Sequence, residues 1–181
     1  MEFNEVISAR RSVRNFTSEP VEEEKLRAVL ETFNRAPSAG NLQAYEVFLI
    51  RDAAVRQALS RASLSQEFVA QAPVVLVFCA NPKRAARRYG NRGERLYATQ
   101  DATIACTFAM LAATAQGLST TWVGAFNDHA VHEAIGSPEG IQPVAILPIG
   151  YAAENPGPTP RRRLADLIHQ WPVGSGSQGR P

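Results

Sequence analysis

Lysine is nearly missing from this sequence: Lys25 and Lys83 stand against 17 arginines. Cysteine is as scarce, and Cys79 and Cys106 have neither the number nor the spacing of a disulfide framework or a zinc site. Each sits in an apolar run, which assigns both to the core. Long hydrophobic stretches are absent too. Ala72 to Ala80 and Ile104 to Ala113 reach about half of the ~20 residues that a membrane span needs, and no charged-then-apolar leader opens the chain. The expectation is a cytoplasmic protein without a membrane partner. Neither G-x-G-x-x-G nor G-x-x-x-x-G-K-[ST] occurs, so no Rossmann or phosphate-loop site is expected.

What is present suits an ordinary globular protein. Of its 181 residues, 45% are hydrophobic and 20% charged, enough to bury a core. One domain is expected over residues 1–173, with 174–181 as a disordered tail. A net charge of +2 does not by itself imply nucleic acid. The placement of the arginines says more: Arg10, Arg11 and Arg14 near the start, Arg84 to Arg95 in the middle, and Arg161, Arg162 and Arg163 near the end. A guanidinium presents a fixed fork of donors that matches phosphate oxygens, which makes each cluster a candidate anion site or a solvated surface.

Along the chain, Phe3 to Arg10 reads as a short helix and Val21 to Arg35 as a second, with Leu26, Val29, Leu30 and Phe33 on one buried face. Ala36-Pro37-Ser38-Ala39-Gly40-Asn41 breaks it, since proline lacks a donor and glycine and asparagine tolerate unusual dihedrals. Strands are expected at Glu46 to Ile50, Val74 to Ala80, Ser119 to Val123 and Pro143 to Ile149, and helices at Ala53 to Ala62 and Asp128 to Ile135. From Gly93 to Gln116 the pattern is helical and rich in alanine, which suits a central helix that others approach closely and a subunit interface. Beyond Tyr151, Pro156, Pro158 and Pro160 predict an extended course over the surface. Helices and about four to five strands without regular βαβ alternation predict an α+β fold, a central mixed or antiparallel sheet flanked by helices.

Four segments carry the chemistry. Arg10-Arg11-Ser12-Val13-Arg14 offers three guanidinium groups and a hydroxyl within five residues, a phosphate grip or a surface charge run. Pro37-Ser38-Ala39-Gly40-Asn41-Leu42-Gln43 offers a hydroxyl and two amides that can read the polar edge of a planar ring. Trp122-Val123-Gly124-Ala125-Phe126 follows, and then Leu147-Pro148-Ile149-Gly150-Tyr151 with Pro160-Arg161-Arg162-Arg163-Leu164. In order and spacing, from about Phe3 to His169, these segments resemble the FMN-dependent nitroreductase family, as a short member of it.

The resemblance implies an intertwined homodimer with FMN in two shared sites. It also implies ping-pong electron transfer from NADH or NADPH through flavin N5 to a small acceptor, a nitroaromatic, a quinone or similar. By position, Arg10, Arg11 and Ser12 would hold the FMN phosphate or ribityl chain, with Arg161 and Arg163 closing on the phosphate. Arg14 would face the pyrimidine edge, where a cation favours the reduced, negatively charged flavin. Pro37, Ser38 and Ala39 would reach the flavin from the partner subunit, with Asn41 and Gln43 beside them. Gly124 and Ala125 match the segment whose backbone N–H meets N5, and Gly150 matches a family glycine near the site. No catalytic side chain and no metal are called for, because the flavin carries the chemistry. Ala44-Tyr45 departs from the family's frequent proline and tryptophan, and the short chain leaves little room for a lid, which opens the choice of acceptor.

Other readings stand beside this one. His129 and His132 with Glu133 form H-x-x-H-E, not the H-E-x-x-H of metalloproteases, and read as a solvated helix face. Trp122 and Phe126 suit the flavin's flank or the core. The run Lys83 to Arg95, with Tyr89 and Tyr97, suits a solvated helix, a nucleic-acid contact or the phosphates of NADPH. Within the favoured reading no nucleic acid is expected. Flavin fragmentation, reductive dehalogenation and a non-enzymatic flavin- or nucleic-acid-binding role remain open as alternatives.

Overall fold

A computed structural model describes residues 1–171, so the expected domain end at 173 and the tail at 174–181 lie outside the described residues. The fold is built on Val74–Ala80 (β2), seven apolar residues that are all buried. Burial on both faces explains the run: a strand covered on two sides has no polar alternation to show. β2 pairs antiparallel with Tyr45–Ile50 (β1), from Tyr45 opposite Ala80 to Ile50 opposite Val75, and on its other side with Gln142–Gly150 (β4). Ser119–Thr120 (β3) closes the order β1-β2-β4-β3. All four strands are antiparallel, which settles the expected mixed or antiparallel sheet.

The two faces of β2 enter different cores, because successive side chains in a strand point to opposite sides. Val74, Leu76 and Phe78 join the cluster formed with Ala98–Ala115 (α6) and Glu23–Phe33 (α2), where Ala102, Ala105 and Ala109 let α6 lie close to the sheet. Phe33 meets Phe78 edge to face at 5.4 Å. Val75, Val77 and Cys79 join the opposite cluster, with Leu59 of Ala53–Ala62 (α3), Val69 of Phe68–Gln71 (α4) and Val131 of Asp128–Ile135 (α7). The result is an α+β sandwich of helices, sheet and helices. Both cysteines are buried in it as expected, and burial pushes the Cys79 thiol to about 12 and the Cys106 thiol up as well.

Four elements differ from expectation. The helix expected from Gly93 begins as a π-helical turn, Gly93–Tyr97, and continues as α6. Ahead of it, Pro82–Arg92 (α5) is helical up to Gly90, whose φ of 53° and ψ of −141° break the helix. The strand expected to reach Val123 ends at Thr120, and Val123 rejoins the sheet only through a bridge to Ile146. The four residues of α4 are too few to show a helical period.

The connection after Phe3–Ala9 (α1) positions the first arginine cluster. Val13 N–H donates to Thr120 O at 3.0 Å and Thr17 N–H to Tyr151 O at 2.9 Å, so residues 12–17 run beside β3 and past the end of β4. Val13 and Phe16 are buried and pin this extended segment. Where β4 ends, Tyr151 donates to Glu22 and accepts from Lys25, tying the start of the tail to α2.

Candidate functional site

The extended course of residues 10–14 turns Arg10, Ser12 and Arg14 to one side and buries Val13 on the other. Arg11 folds back and donates to Ser8 O at 2.6 Å and Arg10 O at 2.9 Å, satisfying carbonyls at the end of α1. Across from them runs the start of the tail, held by the Arg14 amide, which donates to the Glu154 carboxylate. Arg10, Arg11, Ser12, Arg14 and Arg161 thereby line one cavity of about 440 Å³, closed by Ile7 and by 156–159. Among the described residues no carboxylate lines it. Four guanidinium groups facing one space repel each other, and a phosphate among them converts that repulsion into charge-assisted hydrogen bonds. The donor set fits the phosphate end of FMN.

Arg163 is not in this cavity. Its Nε and Nη2 donate to the Asp166 carboxylate at 3.1 and 2.9 Å, and its side chain is exposed. The tail that carries it also exposes Leu164, Leu167, Ile168 and Trp171, the last at 88%.

The loop expected to present Pro37, Ser38 and Ala39 forms a second locus. Gly40, Asn41 and Gln43 have φ of 56°, 56° and 49°, as the glycine and asparagine in the sequence foretell. A Cβ on Gly40 would lie 2.4 Å from Tyr89 Oη, so this position takes no side chain without displacement. Ser38 Oγ accepts from Gln43 N–H at 3.0 Å, and the Gln43 amide turns to Asn41 at 3.3 Å. Ala39 opens onto a shallow, mostly apolar depression of about 480 Å³ with Tyr97, Gln100, Asp101, Thr103 and Ile104. This depression and the arginine cavity have no lining residue in common.

Gly124 and Ala125 are exposed between buried Val123 and half-buried Phe126. Trp122 packs against the α6 side of the core and Phe126 against the α7 side, and a Cβ on Gly124 would come within 3.1 Å of Trp122 Nε1. Gly150 is buried at the end of β4, where a Cβ would stand 2.7 Å from Pro73 Cδ and 3.2 Å from Phe16 Cδ1. Packing alone requires glycine there. His129 stands 3.6 Å from Glu133 on an exposed face, and His132 bonds to Ser137.

The model of the Nitroreductase family matches residues 7–67 and 60–151. The chain belongs to this family. Among curated relatives of this chain, FMN reductase [NAD(P)H] from Bacillus subtilis is 33% identical, with 92% of this chain and 74% of the relative covered. Oxygen-insensitive NADPH nitroreductase from Salmonella typhimurium is 30% identical over 92% of this chain and 72% of its own. A solved structure, the NADPH:FMN oxidoreductase from Vibrio harveyi complexed with NAD+, superposes with a TM-score of 0.86 at 25% identity, covering 97% of this chain and 79% of that one.

Within the nitroreductase fold, three side chains to which the sequence reading gave no role on this loop hold the second locus together. Asp101 accepts from the backbone N–H groups of Ala39 and Ala44 at 2.9 and 3.2 Å. Arg84 Nε donates to Leu42 O at 2.6 Å and Arg88 Nη1 to Gly40 O at 3.3 Å. Part of the central basic run thus serves the loop. The sequence does carry a signal for Asp101, because it is the one charged residue in α6.

Proposed function

We propose that this nitroreductase-family chain is an NAD(P)H-dependent FMN oxidoreductase that works as a homodimer and reduces a small acceptor, such as a nitroaromatic or a quinone. One observation carries the reading: Arg10, Arg11, Arg14 and Arg161 meet Ser12 around one cavity that no carboxylate lines among the described residues. The names of the relatives, FMN reductase and NADPH nitroreductase, point the same way. When bound, FMN would supply the redox chemistry that links a reduced nicotinamide to the acceptor.

In this reading, Arg10, Arg11, Ser12 and Arg161 bind the phosphate, and Arg163 joins them by releasing Asp166. Arg14, exposed and at the cavity edge, faces the pyrimidine end of the ring and stabilises negative charge there. The exposed backbone at Gly124 and Ala125 meets N5, and Gly150 contributes by packing rather than by contact. The loop with Pro37, Ser38, Ala39, Asn41 and Gln43 reaches the flavin of the partner subunit, which accounts for its separation from the arginine cavity. Exposed Leu164, Ile168 and Trp171 support the dimer, since apolar side chains on an extended tail need a surface to cover. Residues 1–173 form one FMN-binding domain in this proposal, in a cytoplasmic protein. Among the described residues no helix is long and apolar enough to cross a membrane.

The test is the visible spectrum of the purified protein, with the chromophore identified by mass, followed by anaerobic addition of NADPH or NADH. A yellow protein carrying FMN that bleaches with a nicotinamide and recolours with a quinone or nitroaromatic is the expected result. A colourless protein that takes up no added FMN overturns it.

A further inference from the structure

Asp101 is 2% exposed, and no cation pairs with it among the described residues. A buried carboxylate is costly unless hydrogen bonds replace its water. Here both oxygens are used, and both on the same loop: one on Ala39 N–H, the other on Ala44 N–H. The residues between are held from other sides, with Gln43 N–H on Ser38 Oγ and the Leu42 and Gly40 carbonyls on Arg84 and Arg88. Asn41 and Gln43 keep φ near +50° inside this frame, a conformation that side-chain-bearing residues rarely adopt. Strained backbone persists where its surroundings over-determine it, and such places gather at ligand sites.

We propose that Asp101 is the positioning residue of the flavin-facing loop: its carboxylate, bonded to Ala39 and Ala44, sets the conformation in which Ser38 and Ala39 are presented to the cofactor. This rests on the FMN reading above. Asp101 acts through the loop and does not itself take part in electron transfer. An amide in its place keeps the shape but offers one acceptor instead of two, turning an N–H donor toward a backbone N–H.

The experiment compares wild type with Asp101→Asn by amide hydrogen exchange without flavin, and by FMN titration and steady-state kinetics with it. Faster exchange at Ala39 and Ala44, by about tenfold or more, is expected while the β2 amides stay protected. The FMN dissociation constant should rise about tenfold, and kcat should fall more than KM rises. Unchanged exchange at both amides overturns the clamp, whatever the flavin does. Loosened amides with unaltered FMN affinity and kcat overturn positioning. A wild type that binds no FMN overturns the functional reading and the flavin half of the proposal, while the exchange data still judge the clamp. Arg84→Ala, an exposed site that leaves the core intact, should shift the same readings less far, and no shift at all overturns the frame even where Asp101→Asn fails to fold.

Discussion

The amide of Arg14 donates to the carboxylate of Glu154, a residue 140 positions further along the chain. Through this bond the first arginine cluster and the start of the tail share one cavity. Arg10→Ala and Arg161→Ala should each weaken FMN binding by about 10–100-fold, because each removes a charge-assisted contact of roughly 1.5–3 kcal/mol. Arg92→Ala, on Tyr97 and outside the cavity, should leave affinity unchanged. Fluorescence titration with FMN measures all three, and equal constants would remove the cavity from the phosphate assignment.

Leu164, Ile168 and Trp171 are exposed on the tail. Replacing all three with serine should dissociate the protein and strip its flavin together, if each site needs both subunits. Sedimentation at micromolar concentration reads the first effect and absorbance the second. A monomeric variant that retains FMN would contradict shared sites.

Gly150→Ala tests packing apart from binding. The new methyl would meet Pro73 and Phe16 within the distances given by their ring atoms, 2.7 and 3.2 Å. Overpacking of this kind costs about 1–3 kcal/mol, a fall of roughly 3–10 °C in Tm for a chain of this size. Calorimetry should show that fall, with FMN stoichiometry of the folded fraction unchanged.

Glu22 titrates at about 2 instead of 4.5, first because Lys25 donates to it and then because Tyr151 does. Its folded pKa lies below the unfolded value, so its contribution to stability is complete above about 4.5 and fades as pH falls through about 2. The urea midpoint of wild type should therefore exceed that of Glu22→Gln near neutral pH, and the gap should close on acidification through that window. A gap independent of pH would mean that the carboxylate's charge plays no part.

Much of the fold was legible in the residues. The strand at Val74–Ala80 announces itself by seven apolar residues in a row, and α2 by its spaced Leu26 and Val29. The break at Gly40 and Asn41 is where the dihedrals do turn positive. Short or irregular pieces were not legible, such as α4 and the π turn at Gly93–Tyr97, since their form is set by packing and not by a period. The arginines at 10, 11, 14 and 161 could be picked out as candidate anion binders by residue type, and the fold brings them to one cavity. The hold of Asp101, Arg84 and Arg88 on the loop was not legible, although Asp101 stands out as the one charge in α6, because their partners are backbone groups brought near only by the folded chain. Arg163 shows the same limit in reverse: its type suits phosphate, yet Asp166 engages it.

The arginine cavity takes one wall from residues 10–14 and the other from 156–161. During synthesis the first wall leaves the ribosome long before the second and waits for it, exposed and strongly cationic. Its other wall emerges only after β4, the last strand of the sheet. Contacts this distant in sequence form late and slowly. If the cavity holds the FMN phosphate, as proposed, the chain cannot load its cofactor until residues 156–161 have joined residues 10–14, and bound flavin marks a chain in which the two walls have met.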